Sequence, residues 1–523
     1  MCFPGSKQVN VGLSVYLEGM IENLPGDSFS PEFKNITSRT ARSGAMMLIA
    51  KCTRHGFAFL VYFLLLNLLV PSDFGLMKYI TIVLGTINML VELGFSIAIV
   101  QKPVLENDEA SSAFTITFLS GLVMYAGVYF GAPVISDWFH APKLINLIRV
   151  GCLSLPLGGL SVVQRAIIQR KMLFRVIASI EVVAAVIGSS LSVVLAFLGF
   201  GVWSLVSSVL CFNAVSSLLY ILYARFPDGN FFRLSAAKSL CPVGFSMVFQ
   251  RVVDYLTNNF DAILIGRYFG EFTLGIYGVA FDIVMLPRAA LVAILSQVLI
   301  SAFSRVQEEK ERVKSGFLQL TVFISAVSVP FFMIVIALPK EILIILGAFR
   351  SDTVWLGAVE PLKILSLSGI LYVLSSYPGM IWISLGKVKL RIFWAIAMAV
   401  TMAVAVLIGV KFGLSGVCWA LLVRGAVLTP IIVTVSCKLF SVRLGEYLNL
   451  LMPSFVSGTA MLVVIMIIEK LLPAGTLNSS VLLLCAGASA GLSAYILVFF
   501  LFWREQFAQV IRPLNLLMNK SAN

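Results

Sequence analysis

Stretches of about 20 consecutive apolar residues, the length a helix needs to cross the hydrocarbon core of a membrane, recur along nearly the whole chain. About 14 can be placed, from one near Gly44 to Val70 to one near Ser480 to Phe502, with short links that often carry Pro or Gly at their ends. The chain therefore reads as an all-α polytopic membrane protein.

Composition agrees. Of 523 residues, 59% are hydrophobic and 12% charged, where soluble proteins carry roughly 25% charged residues; the mean hydropathy is +0.99. A net charge of +13 raises the question of nucleic acid, but the basic residues are scattered through short links and form no patch with interleaved aromatics. The eight cysteines contain no CxxC pair and lie mostly in apolar runs, where a thiol is a small buried hydrophobe. With His55 and His140 the chain's two histidines, neither a metal site nor a cofactor is read. Residues 1–43 are polar, show no signal-peptide pattern and read as a cytoplasmic tail, as do residues 503–523.

Lys and Arg distribution orients the spans. Of the 38 basic residues, 24 fall in the two tails and the even-numbered links, six in the odd-numbered links and eight inside spans. Both termini are therefore expected in the cytoplasm.

One apolar stretch carries too many polar groups for lipid. From Phe249 to Arg288, Arg251, Asp254, Asn258 and Asp261 step by three, four and three and so share a helix face. Tyr277, Phe281, Val284 and Arg288 line a second helix in the same way. Ionised groups do not face hydrocarbon, so these faces should look toward partner helices or a water-filled cavity. Arg251 with Asp254 also reads as an ion pair within one helix, and Arg149 with Glu181 as a structural pair between spans four and five.

Landmarks recur in one order at offsets near two hundred residues. Phe74-Gly75-Leu76 matches Leu274-Gly275-Ile276; Gly201-Val202-Trp203 resembles Gly416-Val417-Cys418-Trp419; the basic turn Gln169 to Arg175 has a counterpart in Gly386 to Arg391. Two pseudo-repeated six-helix lobes, 44–224 and 240–437, followed by an extra helix pair at 451–502, are expected.

The stretches LLVPSDFGLMKYI (Leu68 to Ile80), ELGFSIAIVQ (Glu92 to Gln101), AIIQRKMLFR (Ala166 to Arg175), LGFGVWSLV (Leu198 to Val206), and FDAILIGRYFG with LGIYGVAFDIVMLP (Phe260 to Pro287) carry a family likeness. In these the chain resembles the Wzx-type polysaccharide transporters of the multidrug/oligosaccharidyl-lipid/polysaccharide exporter (MOP) superfamily. The resemblance implies two lobes in alternating access and a flippase that carries a lipid-diphosphate-linked oligosaccharide from the inner to the outer leaflet. Such a cargo serves the biosynthesis of lipopolysaccharide, exopolysaccharide or another surface polymer. It also implies a coupling cation, H+ or Na+, and polymerase and other assembly proteins as partners.

By helix and depth, the resemblance places Lys51, Arg54, Lys78 and Arg288 against the diphosphate. Arg251, Asn258 and Tyr277 join them as expected cargo contacts, and Asp261, Asp254 and Glu92 are the expected ion-coupling groups. A diphosphate is costly in bare hydrocarbon, so a path for it needs cations and water. Lys51, Arg54 and Lys78 lie near span ends, where long basic side chains also snorkel to the interface. Sugar selectivity is expected from uncharged groups such as Asn67, Asn258, Asn259, Tyr277 and Trp382.

Two other classes are weighed. A multidrug exporter of the same superfamily shares the lobes but calls for acidic and aromatic surfaces. A membrane polymerase or ligase calls for a large outer loop and a catalytic constellation, and the sequence offers neither. The chain is read as a transporter and not an enzyme.

Overall fold

The computed structural model describes residues 60–92, 94–102, 105–224, 248, 250–305, 309–347, 353–472, 477–504 and 506, and of these, residues 287–305, 310, 353, 388, 477 and 478 by their backbone alone. Every regular element among them is helical. In chain order these are α1 (60–68), α2 (Pro71–Glu92), α3 (Phe95–Gln101), α4 (Asn107–Phe139), α5 (Leu144–Gly151), α6 (Ser154–Gly159), α7 (Val162–Arg170), α8 (Phe174–Phe197), α9 (Val202–Ala224) and α10 (250–258). There follow α11 (Phe260–Arg305), α12 (Lys310–Ala337), α13 (Pro339–Leu346), α14 (Val359–Ser384), α15 (Val388–Gly409), α16 (Gly413–Leu439), α17 (Leu444–Leu471) and α18 (Leu477–Phe502).

Eleven stretches among the described residues are long and apolar enough to cross a membrane. One of these, Lys389–Leu439, holds two expected spans on either side of the turn at Gly413, where φ is 80°. Another, Phe260–Leu286, is broken at Gly270, whose φ of 78° stops the helix and separates the end of span seven from the start of span eight. Only glycine takes that backbone without strain. Span one lies largely outside the described residues.

Spans two, four and seven depart from continuous helices, the last at Asn259 between α10 and α11. Span two ends as α2 at Glu92, and the chain restarts as α3 after Gly94, whose φ is 75°. Span four is three short helices, α5 to α7, because Pro156, Gly158 and Gly159 interrupt the ladder. Hydroxyls answer the carbonyls released at these breaks: Ser154 donates to Gly151 O at 2.7 Å, Ser161 to Gly158 O at 2.8 Å, and Thr117 of α4 to Gly159 O at 3.2 Å. In hydrocarbon such repair is required, since no water is present to make it.

The described residues form two compact units. One takes α1 to α10 and α11 as far as Gly278, with Met402–Leu414; the other runs from Val279 to Thr401 and from Ser415 onward. The expected join between lobes, 225–239, lies outside the described residues.

In the first unit the basic turn at 169–175 has a structural task. Arg170 donates to Ile99 O at 2.9 Å and to Lys102 O, capping the carbonyl end of α3. Lys102 also pairs with Glu109, which completes a capping box with Glu106 at the start of α4. At the far end of the same bundle, Asp73 accepts from the Val202 amide at 3.1 Å and the Val70 amide at 3.2 Å, joining the starts of α2 and α9.

The Arg149–Glu181 pairing is corrected. Glu181 binds Arg165 at 2.9 Å, and Arg149 lies over the Tyr129 ring at 4.6 Å and donates to Tyr129 O. The breaks in span four change the helix phase between residues 149 and 165, and so exchange which arginine reaches α8.

Candidate functional site

The stretch singled out in the sequence becomes α10 and the first arm of α11, and both lie along α2 within the first unit. Glycines bring the backbones together. A Cβ at Gly85 would enter the Tyr255 ring, and one at Gly266 would enter the Tyr79 ring. One at Gly75 would collide with the backbone of Glu271, and one at Gly275 with the backbone of Pro71. In lipid, where helices gain little from hydrophobic burial against one another, such close approach is a principal source of association.

The last two contacts are reciprocal. Residue 75 meets 271 while 275 meets 71, so each contact maps onto the other when 200 is added to one partner and subtracted from the other. Self-matching of this kind is what a twofold axis produces. The glycines involved are those of the repeated Phe-Gly-Leu and Leu-Gly-Ile landmarks, so two weakly similar tripeptides are one contact in space.

Polar groups complete the seam. Tyr79 donates its hydroxyl to Gly266 O at 2.8 Å, and Tyr255 donates to Thr81 O at 2.8 Å. Asp261 lies in the first turn of α11, where unpaired amides favour a carboxylate. Tyr277, from the arm beyond Gly270, donates its hydroxyl to Asp261, and the charge of Lys78 on α2 acts on the same carboxylate. Asp261 and Tyr277 are both 1% exposed, so this carboxylate meets protein groups on every side.

One turn or more away, Glu92 of α2 accepts from Arg251 of α10 at 3.4 Å and from Ser96 at 3.4 Å. The ion pair of Arg251 is thus made between helices, with Glu92, and not along α10 with Asp254. The reason is proximity: the glycine contacts hold α2 close enough for Glu92 to reach across. Asp254 is half-buried and Asn258 exposed on the same face of α10. Asn258 donates to Asp254 O at 2.7 Å and Asn259 to Tyr255 O at 2.8 Å, both spending an amide donor on the carbonyls near the α10–α11 break.

Of the site residues expected from the sequence, the structure brings Lys78, Asp261 and Tyr277 to one point and Glu92 and Arg251 to another. Asp254 and Asn258 line the helix between them. Lys51 and Arg54 lie outside the described residues; Arg288 is placed in α11 by its backbone, and its side chain lies outside the description.

Two residues expected to select sugars have packing tasks instead. Trp382, 1% exposed, donates to Ser436 Oγ at 3.1 Å, and Asn67, 5% exposed, donates to Phe63 O at 2.8 Å. An aromatic indole in a span fits a core as well as a cavity wall, so its type alone could not separate the two. Sequence reasoning also missed a cluster in which Arg267 lies 5.6 Å from the Trp138 ring and contacts His140. Both groups stand at the ends of apolar runs, and the sequence held no cue that α4 and the first arm of α11 end side by side.

Known proteins share this architecture. The chain superposes on the lipid II flippase MurJ in an inward closed conformation with a TM-score of 0.70 at 15% identity, over 88% of this chain and 99% of that one. A multidrug resistance MATE family transporter of the MOP superfamily, in an inward-facing conformation, gives 0.59 at 15% identity, over 82% and 98%. Among curated proteins, the chain is 26% identical over 373 residues to the succinoglycan biosynthesis transport protein ExoT of Rhizobium meliloti (strain 1021), covering 70% of this chain and 74% of that one. It is 23% identical over 377 residues to the teichuronic acid biosynthesis protein TuaB of Bacillus subtilis (strain 168), covering 72% and 77%. The model of the family described as "Polysaccharide biosynthesis protein" matches residues 64–354, more than half of the chain, and the chain belongs to that family.

Proposed function

We propose that this chain is a flippase that moves lipid-diphosphate-linked oligosaccharide units across the bacterial inner membrane for assembly of a surface polysaccharide. Its family, the transport and biosynthesis roles in the names of ExoT and TuaB, and the shared fold with a lipid II flippase support the reading. The observation within the chain that carries it is the seam itself. A carboxylate buried at a membrane-spanning helix break, held by Tyr277 and faced by the cation Lys78, is costly to maintain unless charge movement there has a use.

In this mechanism no covalent bond is made or broken. Lys51, Arg54, Lys78 and Arg288 offset the diphosphate charge, with Arg251 and Asn258 as further cargo contacts, while Tyr277, buried and bonded to Asp261, orients that carboxylate. Asp261 takes up a coupling proton or contacts a coupling sodium ion, and Asp254 and Glu92 assist from α10 and α2. Two six-helix lobes alternate access, both termini lie in the cytoplasm, and the extra helix pair flanks the second lobe. The polymerase takes the cargo on the outer side.

The test is flipping of a lipid-diphosphate-linked oligosaccharide in vesicles with a proton or a sodium gradient imposed in turn. The parent chain should respond to one gradient. Asp261→Asn should reach normal abundance, still bind cargo, and lose at least about tenfold in gradient-driven rate, equal to ~1.4 kcal/mol. Full gradient-driven transport by Asp261→Asn would refute the coupling role.

A further inference from the structure

The starts of α12 and α17 stand side by side in the second unit and hold between them a cleft of about 680 Å³, a volume within the range of small-ligand sites. On α12 it is lined by Glu311, Lys314, Ser315 and Gln319, at steps of three, one and four. On α17 it is lined by Arg443, Glu446 and Asn449, at steps of three, so each set occupies one helix face. Leu318 and Leu450 complete the lining about two turns inside the helix starts. Further in, the helices close on each other: Ser454 donates to Ser325 at 3.0 Å, and both are buried. The cleft therefore opens at the end of two spanning helices and is floored within the membrane. Its lining passes from charge through amide and hydroxyl to leucine in that direction.

Charge in the cleft is balanced. Lys314 and Glu446 pair across it at 3.2 Å. That leaves an anion on one wall and a cation on the other, since Glu311 and Arg443 are both exposed and neither forms an ion pair with a described residue. Basic pockets between spanning helices near a membrane surface take anionic lipid headgroups. Here a purely anionic group meets Glu311 and Glu446, and a purely cationic one meets Lys314 and Arg443. A group with one charge of each sign meets neither conflict.

The rim of the cleft leads onto the lipid-facing side of α17. From Asn449 the exposed edge of the helix continues as Met452, Val456, Thr459 and Val463, at steps of three, four, three and four. An acyl chain finds an apolar path there that a soluble ligand has no use for.

We propose that this cleft binds a membrane phospholipid with a phosphoethanolamine headgroup. Arg443 takes the phosphate, which a guanidinium grips through two oxygens, and Glu311 takes the ammonium, whose N–H donors suit a carboxylate. One acyl chain follows Met452 and Val456. Bound in this way, the lipid joins α12 to α17 at their starts, as the Ser325–Ser454 hydrogen bond joins them further in. Such a site serves the packing of the extra helix pair and does not depend on which cargo the chain moves.

The full chain, purified in detergent and stripped of lipid, is titrated with phosphatidylethanolamine, phosphatidylcholine and phosphatidylglycerol, and bound lipid is counted by native mass spectrometry. Phosphatidylethanolamine should bind about tenfold tighter than the other two, the size of one charge-assisted hydrogen bond. The choline group has no N–H donor, and the glycerol headgroup brings no cation to Glu311. Glu311→Gln should reduce the preference for ethanolamine over choline to about one. Arg443→Gln should weaken both of these lipids about tenfold. Both side chains are exposed, so the two variants should accumulate as the parent does.

Equal binding of the three lipids by the parent, tighter binding of phosphatidylglycerol, or an unchanged preference in Glu311→Gln would overturn the proposal. O-phosphoethanolamine, which has the headgroup without the acyl chains, should compete only weakly. Competition as strong as that of the whole lipid would overturn the lipid assignment and leave a site for a soluble zwitterion.

Discussion

The seam of α2 with α10 and α11 carries Lys78, Glu92, Arg251 and Asp261, whereas the seam of α12 with α14 and α17 in the second unit is joined in its interior by hydroxyls. Thr321 and Tyr377 share a hydrogen bond at 2.8 Å, Tyr377 and Tyr447 another at 3.0 Å, and Ser454 donates to Ser325 at 3.0 Å. Phe317 packs its ring against Tyr377 and Tyr447 at centroid distances of 5.7 Å each, and all three are buried. An ion pair, Lys314–Glu446 at 3.2 Å, sits near the helix starts, away from that interior.

The difference is one of what a buried group can do. Neutral hydroxyls satisfy one another and keep doing so whatever ion is near, so the α12–α14–α17 seam holds the extra helix α17 as a permanent joint. Each such bond is worth about 1 kcal/mol. A buried carboxylate beside a lysine changes its energy with every proton, cation or anion that approaches, and a buried charge stripped of its partner costs about 3 to 5 kcal/mol. The first seam therefore holds charges whose energy depends on what approaches them, and the second holds neutral pairs.

The largest effect that would break this contrast comes from the glycine crossing. Gly75→Leu drives a side chain into the Glu271 backbone, which cannot rotate away, and should cost about 3 kcal/mol or prevent accumulation, read by thermal unfolding in detergent. Gly275→Leu, facing the Pro71 backbone, should cost as much, because the two contacts are symmetry mates. A tolerated leucine at one site and a severe loss at the other would dissolve the twofold reading.

A smaller effect sharpens the second seam. Tyr377→Phe removes a hydroxyl bonded to both Thr321 and Tyr447 and should lower stability by about 1 to 2 kcal/mol while leaving the rate of cargo flipping near that of the parent. Loss of flipping with stability retained would show that this joint, too, takes part in transport.

The smallest effect belongs to Glu92 and Arg251, whose side chains are 36% and 47% exposed. Glu92→Gln and Arg251→Gln should each cost under about 1 kcal/mol, and a double-mutant cycle on unfolding should give a coupling of about 0.5 kcal/mol. A coupling near zero for this pair, with a clear one for Arg251 and Asp254, would restore the pairing along α10.

Much of this was legible in residues taken one by one. Apolar length announced the spans, because hydrocarbon forces each crossing backbone into local hydrogen bonds that depend on little else. The polar steps from Arg251 to Asp261 announced a helix face that must avoid lipid, and Gly75 and Gly275 announced a repeat. Trp382 and Asn67 were misread for lack of neighbours: an indole or an amide in a span is a cavity group or a packing group depending on what stands opposite. Arg149 and Glu181 were misread because three short helices replaced one continuous span, and phase along a broken helix is not countable from sequence.

What the sequence by itself determined is the all-helical membrane class, the repeated landmarks and the residues that had to turn inward, since these follow from local hydrogen bonding and from the cost of charge in lipid. The tertiary structure alone decided that Gly75 meets Glu271 and Gly275 meets Pro71, that Arg251 reaches Glu92 and not Asp254, and that Tyr277 closes on Asp261 across the break at Gly270. Each of these joins residues from different helices or across a break, and the depth and rotation at which two helices cross is set by the packing of whole surfaces, which no single segment encodes.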